Sequence, residues 1–415
     1  MFKELHPNIR IRIYTSFLSR VVGSMIFPFM AIYFTERIHA TAAGIMIMVT
    51  ILVQFIASLY GGYLADIVGR KKMVVLGEVL KSFAFVGVLL SNSPWYESPW
   101  ITFIMLTIIS VAVGLIMPAS EAMLIDVSTK ETRAFMYSIN YWAVNFSMMF
   151  GLIIGGWFFT TNFFELLIVL VIMSFLTLWI TQRFILETYT PDVSKESTSY
   201  GIKPILKSYQ TVINDFPFLL FTLGGISILA IEFQRNNYIS VRLSEEFTAI
   251  SFPLLGTIDG VRLISLLTVE NTLLIVLLTA VASKWIKGKR EEPIMYAGFI
   301  LFGLGYAYMA FSNNVMGLIV AIFILSIGEL LYVPTRQSLL ADIVDDSKRG
   351  AYMAFNGFVF QIGKLIGAYG IILGESIGGM GMAVFTIGLV LIGIASSSLS
   401  LRKRKRVVNI KAVNI

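Results

Sequence analysis

The 415-residue chain has no cysteine and only two histidines, His6 and His39. Without thiols there is no disulfide framework and no thiolate metal site. Two histidines at the ends of apolar runs do not make a metal centre. Charge is scarce as well. Asp, Glu, Lys and Arg account for 14% of the residues, whereas a soluble chain carries about 25%. No Gly-rich phosphate-binding loop is present, which argues against an ATP-driven pump, and no nucleophile–base cluster points to an enzyme. Long polar stretches are nearly absent too: only Glu187 to Asn214, with Pro191 and Pro204, is one.

What fills the chain instead is apolar. Hydrophobic residues make up 57% of it, and the mean hydropathy is +0.80. A helix needs about 20 apolar residues to cross a bilayer, and the runs here are long and continuous. Membrane barrels alternate apolar and polar positions instead, so the expected class is an all-α membrane protein. Twelve spans are expected, at about 13–36, 43–67, 73–92, 99–125, 135–160, 163–186, 215–243, 266–287, 293–312, 315–341, 350–374 and 380–401. The polar connector 188–214 separates a six-helix bundle at 1–187 from a second at 215–415, which carries a basic tail.

A net charge of +7 raises the question of nucleic acid, and its placement answers against it. With the N-terminus inside, the inner segments hold Lys3, Arg10, Arg12, Arg70 to Lys72, Lys130, Arg133, Arg183, Lys195, Lys203, Lys207, Lys284, Lys287, Lys289, Arg290, Lys348, Arg349, Arg402 to Arg406 and Lys411. The outer segments hold only Arg37, Arg242 and Arg262. Such asymmetry puts both termini on the cytoplasmic side of the membrane. The tail Arg402 to Arg406 then serves as a topology anchor against anionic lipid. Met1 to Arg12 is short and basic and leads into a full span, so no cleavable signal peptide is expected.

The halves echo each other. Pro118 precedes Asp126 by the same interval that separates Pro334 from Asp342, and basic residues follow both. Gly288-Lys289-Arg290 resembles a worn copy of Gly69-Arg70-Lys71. Parallel repeats of this kind accompany a substrate site near the membrane midplane.

Charges inside spans are costly and mark function or pairing. Five basic residues (Arg20, Lys81, Arg235, Arg336, Lys364) stand against four central acids (Glu78, Glu121, Glu232, Glu329). Glu78 with Lys81 and Glu232 with Arg235 have the spacing of same-face neighbours, so structural pairing competes with function at both. Arg20 and Lys364 have no local acid; Glu121 is a candidate partner for Arg20. Glu329 follows Gly328 in an apolar run, without a basic residue within a turn. Apolar surroundings disfavour the charged form of a carboxyl, making Glu329 the candidate protonation site; a structurally hydrogen-bonded glutamate is the alternative.

Between spans 2 and 3 the chain reads Gly62-Tyr63-Leu64-Ala65-Asp66-Ile67-Val68-Gly69-Arg70-Lys71-Lys72. Gly62 permits close helix approach and Gly69 a tight turn. This stretch resembles the helix 2–3 loop of the major facilitator superfamily, Gly-x-Leu-Ala-Asp-x-x-Gly-Arg-Lys, filled at every specified position. The resemblance implies a latch in which Arg70 pairs with Asp126 and Asp66 faces the start of span 11, near Gly350 to Tyr352. Gly151 to Gly156 is similar to the signature of drug–proton antiporters, with Leu152 replacing proline; ordinary helix packing reads equally well there.

Most of the chain resembles lactococcal-type proton-coupled multidrug exporters. Asn140-Tyr141-Trp142, Glu232-Phe233-Gln234, Ile258-Asp259-Gly260 and Gly328 to Pro334 carry the likeness. It implies acids in spans 5, 7 and 10 that bind cationic drugs and protons. Only Glu329 matches; Asn140 replaces the first acid, and Glu232 lies a turn before the second. The expected function is proton-driven export of amphipathic small molecules by a monomer, with no cofactor beyond the proton gradient. Arg20, Arg235, Arg336 and Lys364 leave open a specific anionic or zwitterionic metabolite. A non-transporting membrane sensor is a third reading.

Overall fold

Helices begin where a capping side chain meets an apolar run. In the computed structural model, which describes residues 6–128, 130–188, 212–252, 256–344 and 349–413, both histidines do this. His6 Nδ1 accepts the Asn8 N–H at 3.2 Å to open α1 (Pro7–Ile26), with proline at the first position, where its missing N–H costs nothing. His39 Nδ1 accepts the Ala42 N–H at 3.2 Å to open α3 (Ala40–Val68). Between them a 3₁₀ turn at Phe27–Phe29 and α2 (Met30–Arg37) prolong the first span. Ser98 caps α5 (Pro99–Asp126), Asp215 caps α8 (Phe216–Phe233) and Asn314 caps α12 (Val315–Ile343).

The remaining helices are α4 (Arg70–Leu90), α6 (Lys130–Phe158), α7 (Phe163–Phe184), α9 (Ser240–Glu246), α10 (Gly260–Ile286), α11 (Glu291–Met309) and α13 (Arg349–Val413). The last contains one non-helical residue, Gly378, at φ 65° and ψ −177°. That backbone is open to glycine and strained for other residues. Two hairpins interrupt the helical pattern. β1 (Asn92–Ser93) pairs antiparallel with β2 (Tyr96–Glu97) between α4 and α5, and β3 (Ile250–Phe252) with β4 (Gly256–Ile258) joins α9 to α10.

Nine helical stretches among the described residues are long and apolar enough to cross a membrane. One of them, Phe355–Arg404, has 50 residues, enough for two crossings on either side of Gly378. The fifth and ninth expected spans correspond to the shorter apolar stretch Trp142–Phe158 and to α11. The protein is therefore an all-α, multi-pass membrane protein.

The chain forms two compact units, Met1–Thr198 with Leu254–Ser265, and Ser199–Pro253 with Leu266–Ile415. In the first, α1 packs on α6 and α7, α3 on α5, and α4 on α5 and α7. Its core includes Ala65, Met73, Val74, Leu115, Ala119 and Met123. Gly151 and Gly155 of α6 press against the α1 backbone at Val21 and Met25, the helix-packing role. In the second unit α8 and α11 pack on α13, and α11 packs on α12.

Each unit ties its first helix to its last. Asn8 donates to the Leu186 carbonyl at 2.8 Å and accepts the Leu186 N–H at 3.0 Å. Asp215 meets Arg404 at 3.5 Å and accepts from Tyr352 Oη at 2.8 Å, while Ser400 donates to the Pro217 carbonyl at 2.5 Å.

Candidate functional site

The second unit gathers the in-span charges around a break in its first helix. After α8, residues Arg235–Ile239 form a π turn, a wider coil found often at functional sites. Arg235 stays within electrostatic range of Glu232. Of the two readings left open for Glu232 and Arg235, the pairing one finds no ion pair between them among the described residues. Arg235 Nη1 donates instead to Asn271 Oδ1 of α10 at 2.9 Å. Asn271 Nδ2 then donates to Ser326 Oγ at 2.9 Å and to Glu329 Oε2 of α12 at 3.1 Å. A neutral amide thus stands between a guanidinium and a carboxylate. Arg235, Asn271 and Ser326 are all buried, and Glu232, Glu329, Tyr306 and Tyr332 lie within electrostatic range of Arg235. Phe302 wedges between Tyr306 and Tyr332, with ring centroids 4.9 and 5.0 Å away.

Arg336 and Lys364 belong to the same unit but not to that chain of bonds. The Arg336 guanidinium lies 5.3 Å from the Phe221 ring centroid and against Gly225, where any Cβ would collide with it. Its Nε and Nη2 are buried without a hydrogen-bond partner among the described residues. Lys364 Nζ sits over Phe360 at 4.7 Å and Phe233 at 5.9 Å. A cation over an aromatic face is attracted by the ring quadrupole, so both cations are held by rings rather than by acids.

In the first unit the pairing reading holds for Glu78 and Lys81. Their Oε2–Nζ distance is 2.6 Å, both are buried, and Lys81 also donates to Ser19 Oγ at 3.0 Å. Arg12, read as a loop residue, is buried within α1 in electrostatic range of Glu78. Arg20 and Glu121 are exposed and in electrostatic range of each other, without an ion pair among the described residues. Asn140 is half-buried. Trp142 is exposed and heads a ladder of rings along α6, stacked on Phe146 at 5.5 Å, which in turn stacks on Phe150 at 6.4 Å. The Tyr141 side chain lies outside the described residues.

The motif between α3 and α4 is organised by a residue the sequence reading leaves in the connector. Gly69 adopts φ +104°, and Glu187 fills the space where a Cβ would go. Glu187 accepts the N–H groups of Arg70 at 3.1 Å and Lys71 at 3.0 Å. A carboxylate there satisfies free helix N–H groups and matches the positive end of the helix dipole, so α4 starts at Arg70 rather than at the expected residue 73. Arg70 forms an ion pair with Asp126, which also accepts from Thr188 Oγ1 at 2.9 Å. Close helix approach falls on Gly61, whose Cβ would meet the Gly114 carbonyl at 2.8 Å, and not on Gly62, which makes an ordinary contact with Pro118 at 3.7 Å. Nothing is described of the Asp66 side chain or of the surroundings of its expected neighbours Gly350 and Ala351, while Tyr352 donates to Asp215.

Asn271, Ser326 and Glu270 are absent from the sequence reading. Glu270 is a further in-span acid, half-buried in α10. The dipeptide Glu270-Asn271 inside an otherwise apolar run was the available signal.

Helices of membrane-crossing length in two units make a multi-pass membrane protein whose spans carry charged groups bonded to one another. The chain is a member of the Major Facilitator Superfamily, whose family model matches residues 13–368 and 236–413. It is 31% identical over 377 residues to a protein of Planococcus maritimus described as a Na(+), Li(+), K(+)/H(+) antiporter, covering 88% of each chain. It is 26% identical to the MFS-type transporter YqjV of Bacillus subtilis (strain 168), covering 97% of this chain and 96% of that one. Multidrug resistance protein MdtH of Proteus mirabilis (strain HI4320) is 24% identical, with 83% and 81% covered. Among solved structures, a POT family transporter in complex with 5-aminolevulinic acid superposes with a TM-score of 0.74 at 17% identity, covering 96% of this chain and 98% of that one. That likeness is one of fold.

Proposed function

We propose that the protein is a proton-coupled antiporter that exports amphipathic small molecules, with Glu329 as its exchangeable proton site. The observation that carries this reading is the bridge Arg235–Asn271–Glu329. A direct ion pair with Arg235 would hold Glu329 in its charged form. A neutral amide keeps the carboxylate oriented and hydrogen-bonded while leaving proton exchange open to it. Relatives described as a cation/proton antiporter and as multidrug resistance proteins support antiport. Arg70 and Asp126 act as the latch that holds one conformation of the first unit's loop. The lysine and arginine asymmetry supports a bacterial cytoplasmic-membrane location with both termini inside.

The second reading, a specific anionic or zwitterionic cargo, is favoured by Arg336 and Lys364, which have no acidic partner among the described residues. Proteoliposomes with an imposed pH gradient separate the two. Gradient-driven movement of a fluorescent lipophilic cation in wild type, lost in Glu329→Gln, is the expected result. Wild type that moves no cation under either gradient direction sinks the antiport reading in favour of the charged-metabolite one. Sodium in place of the dye tests the cargo that the Planococcus relative's description names.

A further inference from the structure

We propose that the second unit holds an anionic phospholipid between α10 and α12, with one acyl chain in a groove there and the phosphate on the basic turn that follows α10. The groove has its origin in the internal repeat. Aligning Gly69 with Gly288 and Pro118 with Pro334 pairs Gly61 with Ala280, Gly62 with Val281, Asp66 with Trp285 and Gly114 with Leu330. In the first unit Gly61 and Gly114 bring α3 and α5 backbone to backbone, and a Cβ on Gly61 would lie 2.8 Å from the Gly114 carbonyl oxygen. Ala280 and Leu330 carry the side chains that those glycines lack, so the corresponding pair in the second unit stands apart. Among the described residues α10 packs closely on no other helix. Asn271 joins it to α12 through hydrogen bonds to Ser326 and Glu329.

From there toward the C-terminal end of α10 the two helices part around a cavity of about 290 Å³. Leu278, Val281 and Trp285 line one wall, and Ile327, Leu330 and Leu331 the other. It opens at the surface of the unit, where Val281 and Trp285 are 64% and 53% exposed. From Leu278 to Trp285 the wall is about 10 Å long, against about 15 Å for the hydrocarbon of one leaflet. An unfilled gap forfeits the dispersion contacts of its lining, and water finds no polar partner on these walls. An acyl chain from the bilayer meets both conditions. The open end then selects the headgroup. Lys284, Lys287, Lys289 and Arg290 are exposed and make no ion pair among the described residues, and these four outweigh Glu291 and Glu292, which follow. Trp285 carries the Lys289 ammonium 3.3 Å from its ring centroid, which puts a positive charge at the mouth of the groove. Basic pockets between spans on the cytoplasmic side attract anionic headgroups, and that is the side expected for this turn. A zwitterionic lipid would bring its own cation against the same lysines. Leu330 and Leu331 directly follow Glu329, so a bound chain packs on the turn of α12 that carries it. The inference stands apart from the antiport reading, and its test uses neither gradient nor cargo.

The purified full-length protein is reconstituted in phosphatidylcholine vesicles that contain a small fraction of lipid brominated on its acyl chains, either phosphatidylglycerol or phosphatidylcholine. Bromine quenches the tryptophans it touches, and the difference between wild type and Trp285→Phe isolates Trp285. Brominated phosphatidylglycerol is expected to quench Trp285 at a lower mole fraction than brominated phosphatidylcholine, by about fivefold for each lysine engaged. Lys284→Gln, Lys287→Gln and Lys289→Gln together abolish that preference, and Ala282→Phe, which fills the groove, weakens quenching by both lipids. Equal quenching of Trp285 by the two lipids overturns the proposal, because the groove then takes any chain. A preference that survives the triple lysine variant also overturns it, as does one of equal size among the tryptophans left in Trp285→Phe, which reports only the general attraction of a basic protein for anionic lipid. Quenching unaltered in Ala282→Phe puts the chain outside the groove and counts equally against the site.

Discussion

Replacing Asn271 with alanine removes the bridge while leaving both charges it separates. Two hydrogen bonds to charged groups disappear, Arg235 to Asn271 and Asn271 to Glu329. Each contributes about 1.5–3 kcal/mol net in a buried setting. Part of that loss is recovered if the guanidinium and the carboxylate close the gap and pair directly. The direct pair is the functional cost, because the carboxylate must then break it to take a proton. If breaking it adds about 1.5–3 kcal/mol to the exchange step, turnover falls between about ten- and a hundredfold. The assay is pH-gradient-driven movement of a lipophilic cation in proteoliposomes, alongside thermal denaturation in detergent to confirm that the variant is folded. Asn271→Gln, one methylene longer with the same amide, is expected to retain more activity than Asn271→Ala. A folded Asn271→Ala protein that transports at the wild-type rate, with dependence on Glu329 intact, refutes the role given to the bridge.

Arg70→Ala and Asp126→Asn are expected to slow cycling while substrate affinity stays near wild type, read as transport rate against equilibrium binding; equal losses in both would argue against a latch. Glu78→Gln leaves Lys81 buried without its acid, at a cost of about 3–5 kcal/mol, seen as a drop in thermal stability that a combined Glu78→Gln, Lys81→Met variant largely reverses. Gly328→Ala places a Cβ 2.5 Å from the Phe302 backbone nitrogen and 2.7 Å from the Gly298 carbonyl, so α11 and α12 must separate; overpacking of this kind costs about 1–3 kcal/mol. Gly357→Ala, which meets nothing within 4 Å, is the silent control in the same denaturation series.

The class of fold was legible because membrane solvation leaves few solutions: long apolar runs without alternation must be helices. Glu78 with Lys81 was legible for a similar reason, since regular helical spacing put them on one face and burial made them pair. Glu232 with Arg235 had the same spacing and came out differently. The π turn beginning at Arg235 has no marker in the residues Arg235-Asn236-Asn237, and the hydrogen bond from the guanidinium to Asn271 is a tertiary outcome. Glu187 was hidden by its position beside polar residues, where it read as connector; only the chain's return to Gly69 makes it a helix cap. Gly61 and Gly62 are adjacent and chemically identical, and which one meets Gly114 depends on the azimuth of α3. Sequence reading identifies residues that must find partners and is weaker on which partner they find.

The ties between the first and last helices of each unit have a consequence for how the chain can be divided. Asn8 clasps Leu186 in one unit, and Asp215 clasps Arg404 in the other. Each half thereby has its two ends fastened to each other. The partners of each clasp lie on one side of the sequence stretch 189–211, so a break there severs neither clasp. Two polypeptides produced together in one membrane, severed within that stretch, carry the same clasps as the intact chain.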